Sequence, residues 1–150
     1  MEICRAKPSE SQRLTELAYL AKESWGYPVA WLDEWKADLR FTEGFIECNE
    51  VFVAKLGGEV FGVVACGDSS QGPEISHLWI DPQKQGIGLG RALVDKAKEV
   101  AGLHGWKTLR VVSDPNAQGF YERMGGILVG ELNAPVAGVA RNLPILELQI

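Results

Sequence analysis

The segment His77 to Val100, HLWIDPQKQGIGLGRALVDKAKEV, constrains the fold more than any other stretch of the chain. An apolar run, HLWI, ends at an Asp81-Pro82 turn, and three alternating glycines, Gly86, Gly88 and Gly90, lead directly into a helical stripe of Leu89, Ala92, Leu93, Ala97 and Val100. The order is strand, glycine turn, helix. Glycines at a helix start let a ligand approach the backbone, and the free N–H groups of the first turn point at it with the positive end of the helix. That is a cradle for phosphate or pyrophosphate. Two familiar cradles do not fit: the P-loop pattern G-x-x-x-x-G-K-[ST] is absent, and the dinucleotide fingerprint G-x-G-x-x-G requires glycine at 91, which is arginine.

The rest of the chain reads as alternating short elements. EICRAK is a strand ended by Pro8, and Ser9 with Gln12 forms a capping box for a helix carrying Leu14, Leu17, Ala18 and Ala21 on one face. WGYP breaks that helix. A second starts with Pro28 at its first position and follows Trp31, Leu32, Trp35 and Leu39 to FTEG. EVFVAKLGGEVFGVVACGD is a hairpin turning at Gly57-Gly58, and PEISHLWI is the next strand. TLRVVS follows the glycine-led helix, which stops near Gly102 or Gly105; NAQGFYERM is a short helix closed by Gly125-Gly126; ILVGEL and ILELQI are final strands. The resulting order is β-α-α-β-β-β-α-β-α-β-β.

With 150 residues the expectation is one domain, 1–150. Net charge is −5, which argues against a nucleic-acid partner. The imbalance lies in residues 1–50, with ten acids against six bases. Neither an N-terminal signal pattern nor an apolar run of membrane-spanning length is present, so the expected location is cytoplasmic, without membrane association. Cys4, Cys48 and Cys66 are odd in number and widely spaced, and read as buried reduced thiols; no two histidines have metal-ligand spacing, so no metal is expected.

QGIGLG, Gln85 to Gly90, resembles the Q/R-x-x-G-x-G/A signature of the Gcn5-related N-acetyltransferase (GNAT) superfamily, and LWIDP resembles that family's approach to the turn. Downstream, DPNAQGFYERMGG, Asp114 to Gly126, is similar to the family's N-A-x-x-F-Y-x-x-x-G segment. The resemblance covers nearly the whole chain. It implies an α/β acyl-CoA N-acyltransferase fold: a mixed, mostly antiparallel sheet of six to seven strands flanked by about four helices, with one splayed strand pair. It also implies acetyl-CoA as cosubstrate. The pyrophosphate would lie on Gln85, Gly86, Ile87, Gly88, Gly90 and Arg91. Pantetheine would add to the strand at Leu78, Trp79 and Ile80, with Asn116 and Tyr121 alongside.

The chemistry implied is transfer to a primary amine in a ternary complex. An alkylammonium with pKa ~10.4 must lose a proton before attack, and Glu74, eleven residues before Gln85, occupies the position at which the histone-modifying branch places its base. On a regular strand Glu74, Ser76, Leu78 and Ile80 share a face, with His77 opposite. Tyr121 matches the family's general acid for the departing thiolate, and a backbone N–H near Ile80 would hold the oxyanion. Asn116 is also a helix N-cap candidate, Phe120 reads as core packing, and His104 as a helix C-terminal residue. Trp25, Tyr27, Trp31 and Trp35 among the acids of the first third suggest a small cationic amine as acceptor, gripped by Trp25, Tyr27 and Trp31. A non-catalytic acyl-CoA sensor and a protein or peptide acetyltransferase are the alternatives, and a homodimer is left open.

Overall fold

The structure, a computed structural model, describes residues 1–150. Seven strands form one sheet: β1 (Glu2–Arg5), β2 (Glu50–Leu56), β3 (Glu59–Ser69), β4 (Gly72–Ile80), β5 (Thr108–Val112), β6 (Ile127–Asn133) and β7 (Asn142–Gln149), in the spatial order β1-β2-β3-β4-β5-β7-β6. All neighbours are antiparallel except β4 and β5. The helices are α1 (Ser11–Glu23), α2 (Val29–Trp35), α3 (Glu43–Cys48), α4 (Leu89–Leu103) and α5 (Gln118–Arg123). The mixed α/β fold with a mostly antiparallel sheet is the one expected. Helix α3 is the addition: its six residues are too few to show a period, and Thr42 caps it through Phe45 N–H at 3.0 Å.

The sheet separates two cores. On one face Leu93, Val94 and Ala97 of α4 pack with Val64, Ile75, Leu109, Val111, Leu146 and Leu148. On the other, Leu14, Leu17 and Ala18 of α1, Phe41 and Ile46 cover Val51, Val53, Val63 and Ala65. Only Cys66 of the three thiols is buried, with its pKa pushed up to about 11 by desolvation; Cys48 is exposed. At the sheet end, β6 carries exposed Ile127, Leu128, Val129 and Leu132 along an edge strand.

Three local expectations change: the second helix, expected to run through Leu39 to FTEG, ends at Trp35. The capping box at the first helix belongs to Lys7, whose N–H donates to Glu10 Oε1 at 2.8 Å, because a single 3-10 turn over Pro8–Glu10 precedes α1. Pro28 stands just before α2 as its cap, with φ −58° and ψ 146°, the extended backbone that lets the chain turn out of WGYP.

The decisive irregularity is in β4. Ala65 faces His77 across the ladder while Cys66 faces Ile75, so Ser76 is an extra residue, a β-bulge. A bulge shifts the side-chain phase by one. Ile75 therefore shares the α4 face with Leu78 and Ile80, whereas His77 and Trp79 lie on the α1 face. Glu74, adjacent to Ile75 and paired in register with Arg110, goes with His77 and not with Leu78 and Ile80. The strict alternation expected for this strand is corrected here. Beyond the bulge β4 and β5 part company: they pair only at Glu74 with Arg110 and Ile75 with Val111.

Behind the gap, Gly126 is held close to α5, where a Cβ would stand 2.8 Å from the Tyr121 carbonyl oxygen. Gly126→Ala is therefore expected to displace α5 or β6 and to destabilise the protein by about 1–3 kcal/mol. Urea unfolding followed by circular dichroism checks it, and an unchanged midpoint would mean that the segment yields freely.

Candidate active site

Two cavities meet at the splay. The larger, about 400 Å³, runs from the glycine turn along the free edge of β4 to α5; the smaller, about 60 Å³, lies in the gap between β4 and β5. Trp25, Leu78, Trp79, Ala117 and Tyr121 line both, so they form one continuous cleft.

The backbone sets its edges. Asp81 N–H donates to Phe61 O across β3 at 2.8 Å, so by strand alternation the amide groups of Leu78 and Ile80 face away from β3 into the gap. With β5 splayed off, they have no ladder partner there. At the other end Gly86 and Gly88 adopt φ of +80° and +91°, and a Cβ on either would meet nothing within 4 Å. Gly88 is the residue before the first turn of α4, whose free N–H groups open into the cavity. Gly90 has another reason to be glycine: its Cβ would press to 3.2 Å on Phe120, which thus packs on the helix and lines the cavity as well.

Of the residues singled out by sequence, Leu78, Trp79, Ile80, Gln85, Gly86, Gly88, Gly90, Arg91, Asn116 and Tyr121 line the larger cavity. Ile87 does not, its side chain being exposed. Sequence reasoning missed Lys84 and Arg123, which bring two more positive charges to the same cavity. Arg123 lies inside the second motif at a position whose residue type it leaves open, and Lys84 falls between LWIDP and QGIGLG.

Tyr121 is 5% exposed, and burial pushes its phenol well above the usual range, which keeps it protonated. No buried side-chain oxygen or nitrogen lacks a partner, and the Tyr121 hydroxyl bonds to no protein atom, so it opens into the cleft. His77 lines the smaller cavity against the rings of Phe41 and Phe45. Burial lowers its pKa to about 4, so it is neutral near pH 7. Trp79 Nε1 donates to His77 Nδ1 at 2.9 Å, and an indole can only donate, so the imidazole proton sits on Nε2. Glu74 lines neither cavity and lies 3.8 Å from Arg110 at the closed end of the gap.

Beside the cleft is a buried charge network that no periodicity announced. Asp114, 5% exposed in its side chain, accepts from Lys22 Nζ at 2.7 Å, Tyr27 hydroxyl at 2.9 Å and Arg141 Nη2 at 3.1 Å. The same carboxylate accepts from Asn116 N–H at 2.8 Å and Nδ2 at 2.9 Å. Asp114, and not Asn116, is therefore the cap of this turn, and α5 begins only at Gln118. Burial would raise the Asp114 carboxyl, but the Lys22 charge and these donors outweigh it and hold it below its ordinary value. Lys22 Nζ sits 4.3 Å from the Trp35 ring centroid, with Tyr27, Trp25 and Trp79 within 6.0 Å. The Arg141 guanidinium lies over Tyr27 and Trp35. Of the three residues expected to grip an acceptor, Trp25 lines the cleft, while Tyr27 is tied into the network and Trp31 stacks on it 5.7 Å away.

A family model described as an acetyltransferase (GNAT) domain matches residues 19–134. An N-acetyltransferase of Methanocaldococcus jannaschii is 30% identical over 117 residues, 71% of this chain and 47% of that protein, so the chain spans about half the length of this curated relative. Among solved structures, a GCN5-related N-acetyltransferase from Rhodopseudomonas palustris superposes with a TM-score of 0.82 at 17% identity, covering 99% of this chain and 95% of that one. The PaiA N-acetyltransferase of Thermoplasma acidophilum, in complex with coenzyme A, gives 0.77 at 14% identity over 99% and 98% of the two chains. YncA of Salmonella typhimurium, with acetyl-CoA, gives 0.75 at 20% identity over 99% and 93%. At these identities the likeness to the structures is one of fold.

Removing the carboxylate of Asp114 leaves two buried cations facing each other, so Asp114→Ala is expected to lower stability at pH 7 by about 3–5 kcal/mol. In the wild type the Asp114 value is below its ordinary 3.8, so its contribution is present above that pH and is lost as pH falls through the lower folded value. Denaturant midpoints of both proteins from neutral pH down to pH ~3 should therefore converge toward the acid end. A constant difference would remove Asp114 ionisation from the stability of the fold.

Proposed function

The chain belongs to the Gcn5-related N-acetyltransferase (GNAT) family, and from that premise we propose that it transfers an acetyl group from acetyl-CoA to the primary amine of an acceptor by direct attack in a ternary complex. The observation that carries this reading is the continuous cleft from the glycine turn to Tyr121, edged by the unpaired amide groups of Leu78 and Ile80. Its residues suit the cosubstrate. The first turn of α4, with Lys84, Arg91 and Arg123 around it, is positive where phosphates would lie, and Gly86 and Gly88 keep Cβ atoms out of that space. The coenzyme A and acetyl-CoA complexes of the Thermoplasma and Salmonella proteins, which share this fold, support the same assignment.

Acetyl-CoA supplies an activated thioester. The free edge of β4 holds the pantetheine arm as an added strand would be held, through Leu78 and Ile80, with Asn116 on the opposite wall. A backbone N–H of that edge stabilises negative charge on the acetyl oxygen. Tyr121, whose hydroxyl is unpaired and open to the cleft, donates a proton to the departing sulfur as negative charge develops there.

A base is harder to find in the gap, and Glu74 is not carried forward as one, because it lies outside both cavities beside Arg110. Asp114 is saturated by its own partners, and His77 is too weakly basic near neutrality. The acceptor therefore enters as the free amine; as its C–N bond forms and the C–S bond breaks, nitrogen sheds one proton to solvent and Tyr121, having protonated the sulfur, is reprotonated from solvent. Nor is the cationic acceptor carried forward: the aromatic faces that suggested it enclose the chain's own Lys22 and Arg141.

Calorimetry with acetyl-CoA tests the cradle. Gly88→Val is expected to abolish binding while far-UV circular dichroism stays native; unchanged affinity in the folded variant would take the cradle off this turn. For the chemistry, Tyr121→Phe keeps the ring and removes the hydroxyl, and should lower kcat on the order of 10²-fold with cofactor affinity unaltered. A fully active Phe variant, assayed with chemistry rate-limiting, would remove Tyr121 from the mechanism.

A further inference from the structure

We propose that the acceptor is a small amine carrying a carboxylate, and that the Arg141 guanidinium is its anion-binding group. This rests on the transferase reading above and names the substrate class of the same cleft.

The first observation is the charge balance. Lys22, Arg141 and Asp114 touch one another in a buried cluster, two cations against one carboxylate, and Asp114 is itself a wall residue of the gap between β4 and β5. The remaining close partners, Tyr27 and Asn116, are neutral hydrogen-bonding groups. No other acid forms an ion pair with Lys22 or Arg141. One positive charge is left uncompensated beside the reacting gap, where low dielectric makes it felt. A cationic acceptor would be repelled there, and an anion is attracted.

The second observation is how Arg141 is held. Its plane rests on Tyr27 and Trp35, with the guanidinium carbon 5.1 and 4.9 Å from the two ring centroids. Nη2 donates to the Tyr27 hydroxyl at 2.8 Å and to Asp114 Oδ2 at 3.1 Å. A guanidinium has five N–H donors, and here Nε and Nη1 donate to no protein atom. Since no buried polar side-chain atom lacks a partner, those two nitrogens keep solvent access, at a place that lies outside both cavities and adjoins the gap through Asp114. A side chain 11% exposed, fixed on one edge and unpaired on the other, loses little freedom on binding an anion.

The third is position. Arg141 follows the segment between β6 and β7 that folds back over α2 through the Glu34 bond, with Val136 buried beneath it. That segment brings the guanidinium to within one residue, Asp114, of the gap wall that Tyr121 shares. An amine and a carboxylate a few bonds apart could thus place nitrogen at the gap and oxygen at Arg141.

Matched acceptors test this directly: free amino acids, the corresponding carboxamides, which lose the negative charge and carry a more acidic ammonium, and a polyamine, assayed by release of coenzyme A thiol with each kcat/KM referred to the free-amine fraction found by titrating that acceptor. The expected result is a kcat/KM at least tenfold higher for the acid than for its amide, with the polyamine poorest. Arg141→Met should erase that preference by raising KM for the acid, leaving KM for acetyl-CoA unchanged, while Arg141→Lys retains part of it. The melting temperature and acetyl-CoA affinity of each variant establish that the fold and cofactor half are intact. A preference for amides or polyamines, or an acid preference that survives in folded Arg141→Met, overturns the proposal, as does turnover of none of the carboxylate-bearing amines by protein that binds acetyl-CoA. Wild-type protein that fails to bind acetyl-CoA would instead overturn the transferase reading itself.

Discussion

Everything at the cleft depends on a pair of parallel strands that stop hydrogen-bonding after two residue pairs. Glu74 with Arg110 and Ile75 with Val111 close one end, and the bulge at Ser76 turns β4 away from β5 beyond them. Unpaired backbone groups inside a sheet are costly unless something else bonds them, so the interior edge at Leu78 and Ile80 is a built-in demand for a ligand with amide chemistry. The same bulge reassigns faces, sending Leu78 and Ile80 toward α4 while His77 and Trp79 turn toward the aromatic wall. A single inserted residue thereby gives the one cleft two differently lined halves.

The two halves are mechanically joined through Asp114. Its carboxylate fixes Lys22 of α1, Tyr27 of the turn before α2 and Arg141 after the β6–β7 segment, while its cap on the Asn116 N–H fixes the turn that presents Asn116 and α5 to the cleft. Three regions distant in sequence, residues 22–27, 114–116 and 141, are tied at one carboxylate. Such a cluster is weak evidence for net stability, because desolvating the charges offsets most of their attraction. Its value is positional: it holds α1, the turn before α2, the turn before α5 and the entry to β7 in one register.

How much of this was legible in the sequence follows from range. The strand, glycine turn and helix at 77–100, the hairpin at Gly57-Gly58 and the helical stripe of α1 are local patterns, and each stands where it was read. Gln85 to Arg91 and Tyr121 came from motif resemblance, and all but Ile87 line the cleft. The Ser76 bulge left no trace, since it depends on the partner strand β3, and with it went the face of Glu74. Helix α3 was too short for a period. The ring cluster of Trp25, Tyr27, Trp31 and Trp35 was visible as composition, but its occupants were not: Arg141 lies more than a hundred residues away, and Lys22 is one ordinary lysine on an amphipathic helix.

The sheet order also has a consequence for how the chain reaches this state. β7, residues 142–149, lies between β5 and β6, so the two strands that flank it have no common partner until it arrives. Leu146 and Leu148 complete the core against Leu109 and Val111, and Arg141 reaches Asp114 just ahead of them. During synthesis the β1 to β4 half, with its hairpin and antiparallel neighbours, can form while the wall of the cleft on β5 is still unsupported. Insertion of a late strand between two earlier ones is a non-local closure, slow by its loop entropy, and the backbone edges of β5 and β6 that β7 pairs are open for its duration. The half of the molecule that carries Tyr121 and Asp114 is thus the half that matures last.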